Sequence, residues 1–290
     1  MAAARRDLIA VFATLVGCAT AEPAAIPSEL LISDYAGDAI VRFDGVTGET
    51  VGMFARLDRP AGMQLGPHGD LFSAGFGQGE VARYDLATGT RMEVVFWDTT
   101  LLEEPVEIAF RGDTLLALGN DTANTVVLAP GQQPASFGAP TMRAAHDFDL
   151  FGDRLYVATD THPELGTAVQ VWNLDTRTLE RSFAPPAEVQ QGTTIVIDGD
   201  GIAYVGDWLL GRITRYDALT GESLGVLVDG LERVIDVELA PDGTLAVLDA
   251  IGVECYDRQS GARLSILVDR STAPLSWPRA MTFVVSAAIE

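Results

Sequence analysis

The chain has 290 residues, nearly half of them apolar, which suits one large or two modest folded domains. It carries 41 acidic against 19 basic residues, a formal charge of −22, and every basic residue is Arg. That field excludes nucleic acid as a partner and the lack of Lys excludes Schiff-base chemistry, while cations, neutral ligands and basic protein faces stay compatible.

In chain order, Arg5 and Arg6 precede the apolar run Leu8–Val16, a targeting pattern too short to span a bilayer as a helix. Leu15-Val16-Gly17-Cys18 comes next and resembles the lipobox of bacterial lipoproteins. The resemblance implies a signal peptide over 1–17, lipidation of Cys18, a short tether over 18–28 and an extracytoplasmic, membrane-anchored domain over 29–290. Cleavage after Ala21, giving a secreted or periplasmic soluble protein, is the alternative. Cys255 is the one other thiol; set in an apolar run, it reads as a small buried hydrophobe.

From Val41 onward the chain repeats itself. An aromatic, then Asp or Asn, then a polar turn recurs at Phe43-Asp44, Tyr84-Asp85, Trp172-Asn173, Tyr216-Asp217 and Tyr256-Asp257. The spacing is about 41 to 44 residues, or twice that between Tyr84 and Trp172, where a decayed copy puts Leu128 in the aromatic place. Ahead of each copy lie two alternating apolar stretches joined by a turn, with Gly69, Gly201 and Gly243 at three of the turns. This is the pattern of four-stranded propeller blades: strands a and b form one hairpin, the aromatic-Asp stretch is the c–d hairpin, and the aromatic packs between neighbouring blades.

Strands b, c and d come first, from Leu30 to Ala55. Five full units follow, starting near Gly62, Glu107, Asp147, Thr194 and Asp236, and a lone strand a, Pro278–Val285, comes last. The expected fold is therefore an all-β, six-bladed β-propeller whose C-terminal strand a closes the blade begun by N-terminal strands b, c and d, leaving no free edge. The stretches "RPAGMQLGPHGDLFSAG", "VARYDLATG" and "LLISDYAGDAIVRFDGVTGE" resemble NHL-type repeats over nearly the whole domain. That resemblance implies a repeat class shared by lactonases, lyases and pure binding modules, so it does not fix an activity.

Aligning the starts of strand a places Gly62, Glu107, Asp147, Thr194, Asp236 and Ala280 around the axis. Gln64, Asp149, Glu238 and Thr282 lie one step deeper on the same side. Met63, Ile108, Phe148, Ile195, Val237 and Met281 interleave with them as inter-blade core. An oxygen-lined ring suits Ca²⁺ held by Glu107, Asp147 and Asp236, or a cationic organic ligand; a network of water with Arg233 and Arg279 is the structural alternative. Asp34, Asp207 and Asp249 end strand b on the same face, either fastening loops or extending an acidic binding surface. His146 and His162 belong to that face and His68 to the opposite one, too few imidazoles for a His-rich zinc site. The leading expectation is a ligand- or protein-binding module working through an acidic top face. The alternative is a metal-dependent, lactonase-like hydrolase or lyase with His146 as general base.

Overall fold

The backbone of an innermost propeller strand has one side with no sheet partner, and that open side faces the axis. The structure is a computed structural model describing residues 27–120 and 122–285. Among them there are 24 strands and no helix. Strands β1 (Pro27–Asp34), β2 (Ala39–Asp44) and β3 (Thr50–Arg56) come first, and β24 (Pro278–Val285) pairs antiparallel with β1 to complete that sheet. We call it blade 6. Blade 1 is β4 (Pro60–Leu65), β5 (Leu71–Gly75), β6 (Glu80–Tyr84) and β7 (Arg91–Trp97). Blade 2 is β8 (Pro105–Arg111), β9 (Thr114–Gly119), β10 (Asn124–Leu128) and β11 (Ala135–Phe137).

Blade 3 is β12 (Ala145–Phe151), β13 (Arg154–Thr159), β14 (Val169–Asn173) and β15 (Thr178–Phe183). Blade 4 is β16 (Gly192–Ile197), β17 (Ile202–Asp207), β18 (Arg212–Asp217) and β19 (Ser223–Asp229). Blade 5 is β20 (Asp236–Leu239), β21 (Leu245–Leu248), β22 (Gly252–Tyr256) and β23 (Arg263–Asp269). The chain is thus a six-bladed β-propeller, closed by its last strand beside its first three as the repeat count requires. The signal, lipidation and tether expectations over 1–26 lie outside the described residues.

The core is divided among the seams between blades, one buried cluster to each. The repeated aromatics supply one anchor per seam: Phe43 at 5/6, Tyr84 at 6/1, Trp172 at 2/3, Tyr216 at 3/4 and Tyr256 at 4/5, none more than 6% exposed. Only the 1/2 seam lacks one; there Leu128 packs at the cluster's edge. The Asp after each aromatic accepts N–H groups of its own turn, as in Asp44 from Val46 (2.9 Å) and Thr47 (2.7 Å) and Asp217 from Thr220 (2.7 Å). Turn chemistry and seam packing together account for the repeat. Cys255, in β22, is buried, and burial pushes its thiol pKa up, as a structural cysteine requires.

Candidate functional site

Strand a of each blade faces the axis. Register shifts at Pro60/Met63, Pro105/Glu107, Ala145/Asp147, Gly192/Thr194 and Pro278/Ala280 mark a bulge near the top of five of these strands. The interleaved apolar set is buried in the seams, Met63 to Met281 all at 4% exposure or less. The polar set surrounds a cavity of about 80 Å³ lined by Gln64, Glu107, Asp147, Asp149, Asp236 and Glu238. The interleaved apolar residues reach the edge of the same cavity, and Gly62, Thr194 and Thr282 are not among its lining residues.

What the carboxylates do there is specific. Asp147 accepts the N–H of Phe148 (2.6 Å) on one oxygen and that of Ile195, in the next blade, on the other (2.8 Å). Asp149 repeats this with Leu150 (2.6 Å) and Ile197 (2.7 Å). Asp236 takes Val237 N–H (2.8 Å) and the Thr194 hydroxyl (3.2 Å) on one oxygen, and Met281 N–H (2.7 Å) on the other. Thr194 in turn accepts Val237 N–H at 3.1 Å. These donors lie on the open side of strand a, where no neighbouring strand can satisfy them. The ring is a set of acceptors for orphaned sheet edges, stitching blade 3 to 4, blade 4 to 5 and blade 5 to 6.

Glu107 accepts Ile108 N–H at 2.9 Å and lies against Gly62, whose missing side chain leaves it room. Glu238 receives no hydrogen bond from any described residue. Burial, then mutual repulsion, raises Glu107, Asp147 and Glu238 well above the usual carboxylate range, and burial pushes Asp149 and Asp236 up to about 6. Arg279 faces the same ring, its pKa lowered by burial against the pull of Asp147, Asp236 and Glu107. It makes no ion pair within 4.0 Å with any described residue.

Glu107, Asp147 and Asp236 share this cavity, but among the described residues no three His, Cys, Asp or Glu side chains form a group able to hold a metal ion. Asp147 and Asp236 have both oxygens committed to backbone donors, which a cation would have to displace. His146 turns away from its neighbour Asp147, and its Nε2 lies 3.0 Å from Asp160 Oδ1. His162 is buried, and its Nδ1 accepts Glu164 N–H (3.2 Å) and Leu165 N–H (3.1 Å), capping its own loop.

The strand-b aspartates are buried at 2% exposure or less, so they sit beneath the top face rather than on it. Asp34 accepts Ser276 N–H (2.8 Å) and Trp277 N–H (2.6 Å); Asp207 accepts Leu209 and Leu210 N–H on one oxygen and Gln190 N–H on the other. Asp249 accepts Ile251 N–H (2.7 Å) and Gly252 N–H (3.1 Å). Each fastens the b–c loop, the d–a loop of its blade, or both. The loops they hold present a different surface. Leu209 (64% exposed), Ile251 (45%) and Trp277 (51%) project from blades 4, 5 and 6. Trp208 lies among them beneath the Arg233 guanidinium, 5.3 Å from its ring centroid, and Arg270 bridges the Ala250 and Ser276 carbonyls. Reading strand positions missed this cluster, although "DWLLG" and "DAIG" carry Leu209 and Ile251 where the matching loops "DYAGD" and "GFGQG" carry Ala36 and Gly77.

No protein-family model and no curated protein matches the chain. Among solved structures it is similar to a chain of the crystal structure of a nidogen/laminin complex, with a TM-score of 0.72 and 15% identity over 89% of this chain and 98% of that one. At that identity the likeness establishes the propeller fold and nothing finer.

Proposed function

We propose that the chain is an NHL-like propeller acting as a non-enzymatic protein-binding module, presented outside the cytoplasm from a membrane through lipidated Cys18. Propellers commonly serve as protein-binding modules, and the similar chain comes from a protein complex. The observation that carries the proposal is the exposed Leu209, Ile251 and Trp277 around the Trp208–Arg233 stack. Trp and Arg are the residues in which interface energy concentrates, and three exposed apolar side chains on adjoining loops are costly unless covered. Exposed Asp38, Glu103, Glu164 and Glu232 on the surrounding top-face loops give the cluster an acidic periphery. The fitting partner is a protein presenting an apolar knob within a basic or neutral surround.

A photo-crosslinking residue at 209 or 277 should trap one partner; the same residue at Leu264 on β23 should not. Trp277→Ala should weaken that partner by about 30-fold or more with an unchanged thermal midpoint. Equal trapping from Leu264, or full affinity in Trp277→Ala, would remove the top face from the reading. Cys18→Ser should release the protein from the membrane fraction without altering partner binding.

A further inference from the structure

The seam between blades 1 and 2 is the one place where the repeat fails, and it contains a cavity of about 680 Å³ on the face opposite the Trp cluster. The cause is legible in two substitutions of pattern. Leu128 pairs with Leu115 where Tyr84 pairs with Leu71 and Tyr256 with Leu245, so the seam receives an aliphatic side chain in place of a ring. The outer strand β11 has three residues, against six or seven in the outer strand of every other blade. With an aliphatic side chain in the ring's place and a short outer strand, the seam is less filled at this end, and the cavity there lies open to solvent.

The cavity has a built interior. Phe72 and Phe110 meet edge to face at 4.8 Å on its floor, with Phe96, Leu115 and Leu128 completing an apolar wall. Its mouth carries Asp70, Glu93 and Asp113, with Arg83 and His68 as the basic groups. Arg83 is already satisfied: Nε donates to Asp70 at 2.8 Å and Nη1 to Glu93 at 2.9 Å. Asp113 takes no hydrogen bond or ion pair from any described residue and is exposed in its turn. The loops bearing Pro67, Pro130 and Pro134 hold the mouth open with little backbone freedom to lose on binding.

From this geometry we infer a second binding site, at the blade 1/2 seam, for a small organic cation: an aromatic or alicyclic body on the Phe72–Phe110 floor and an ammonium group at Asp113. The volume lies in the range of small-molecule sites. The Phe72 ring already carries the Arg83 guanidinium, 5.9 Å from its centroid, so the attraction for a cation comes from the unpaired Asp113 carboxylate at the mouth, which favours an ammonium over a neutral or anionic head. The site shares no residue with the top-face cluster and stands whether or not that cluster binds protein.

The test is calorimetric titration of the whole domain with three matched probes: naphthylmethylammonium, naphthylmethanol and naphthylacetate. The ammonium should bind at one site per chain, about tenfold or more tighter than the acetate. Asp113→Asn, on an exposed turn, should erase most of that preference while leaving the alcohol unchanged. Leu128→Tyr restores the ring of the other seams; set in the cavity wall, it should narrow the site, weaken binding of all three probes and keep or raise the thermal midpoint. No saturable binding, an acetate as tight as the ammonium, or undiminished binding in a folded Leu128→Tyr would each overturn the assignment. Should Leu128→Tyr fail to fold, Phe110→Ala enlarges the floor, and ammonium binding left unaltered by it would equally overturn it.

Discussion

Two carboxylates in the same channel have opposite roles because one has donors and the other has none. Asp236 joins blade 5 to blade 6 through the N–H groups of Val237 and Met281, and an amide in its place would point its own NH₂ at one of them. Asp236→Asn should therefore lower stability by about 1–3 kcal/mol, the cost of leaving a buried donor unpaired. Glu238 has burial and three acidic neighbours, Asp236, Asp149 and Asp147, and receives no hydrogen bond from the described residues in return. Glu238→Gln removes the repulsion with its acidic neighbours without breaking a hydrogen bond to any described residue, and should raise stability by on the order of 1 kcal/mol. Urea unfolding of both variants at pH 7.5 decides: shifts of the same sign would mean that the ring is not a backbone-capping device.

At the scale of the hairpin, the repeated glycine closes the c–d turn and also touches the neighbouring blade. Gly89 has φ near +69°, and a methyl group there would overlap the Phe54 carbonyl oxygen on β3. Gly89→Ala meets both penalties and should cost on the order of 2 kcal/mol, read from the urea midpoint. Blade 3 holds Arg177 at the same place with φ near +57°, so Arg177→Gly should gain about 0.5–1 kcal/mol; a loss would mean that the side chain compensates through contacts. Hairpins of this kind were legible in the sequence because their residues are local: aromatic, Asp and Gly sit within six positions, each with its own physical reason. The strand-a parity was legible for the same reason, alternation being a property of one strand. Which oxygen of Asp147 meets Ile195 was not, since that pairing joins residues of two blades and depends on closure of the ring. The top-face Trp cluster likewise draws on loops of three blades, and the side cavity showed in sequence only as a missing ring at Leu128.

For the whole molecule, the sum of these sites sets the response to pH. Asp149 and Asp236 titrate near 6 when folded, against an ordinary 3.8, and Glu107, Asp147 and Glu238 are shifted in the same direction. Between those values the folded protein holds more protons than the unfolded chain, so stability falls as pH rises through the window. The turn aspartates Asp44, Asp85, Asp217 and Asp257 are held low by their turn N–H and hydroxyl donors and act oppositely, losing their contribution as pH falls below 3.8. The urea midpoint should therefore climb from pH 7.5 to about 5 and fall again below about 4; a midpoint that rises steadily from 5 to 7.5 would contradict the buried channel charges. One further property belongs to the way the ring is shut. Strand β1 lies between β24 and β2, bonded along both sides, with Pro27 at the lower end and Asp34 at the top. A pull on the chain at Pro27 is directed along β1, so both ladders are sheared together and no single bond is peeled first. Tension at that point draws the lower face toward its source and turns the Trp cluster away from it, so that load falls on the two ladders that shut the ring.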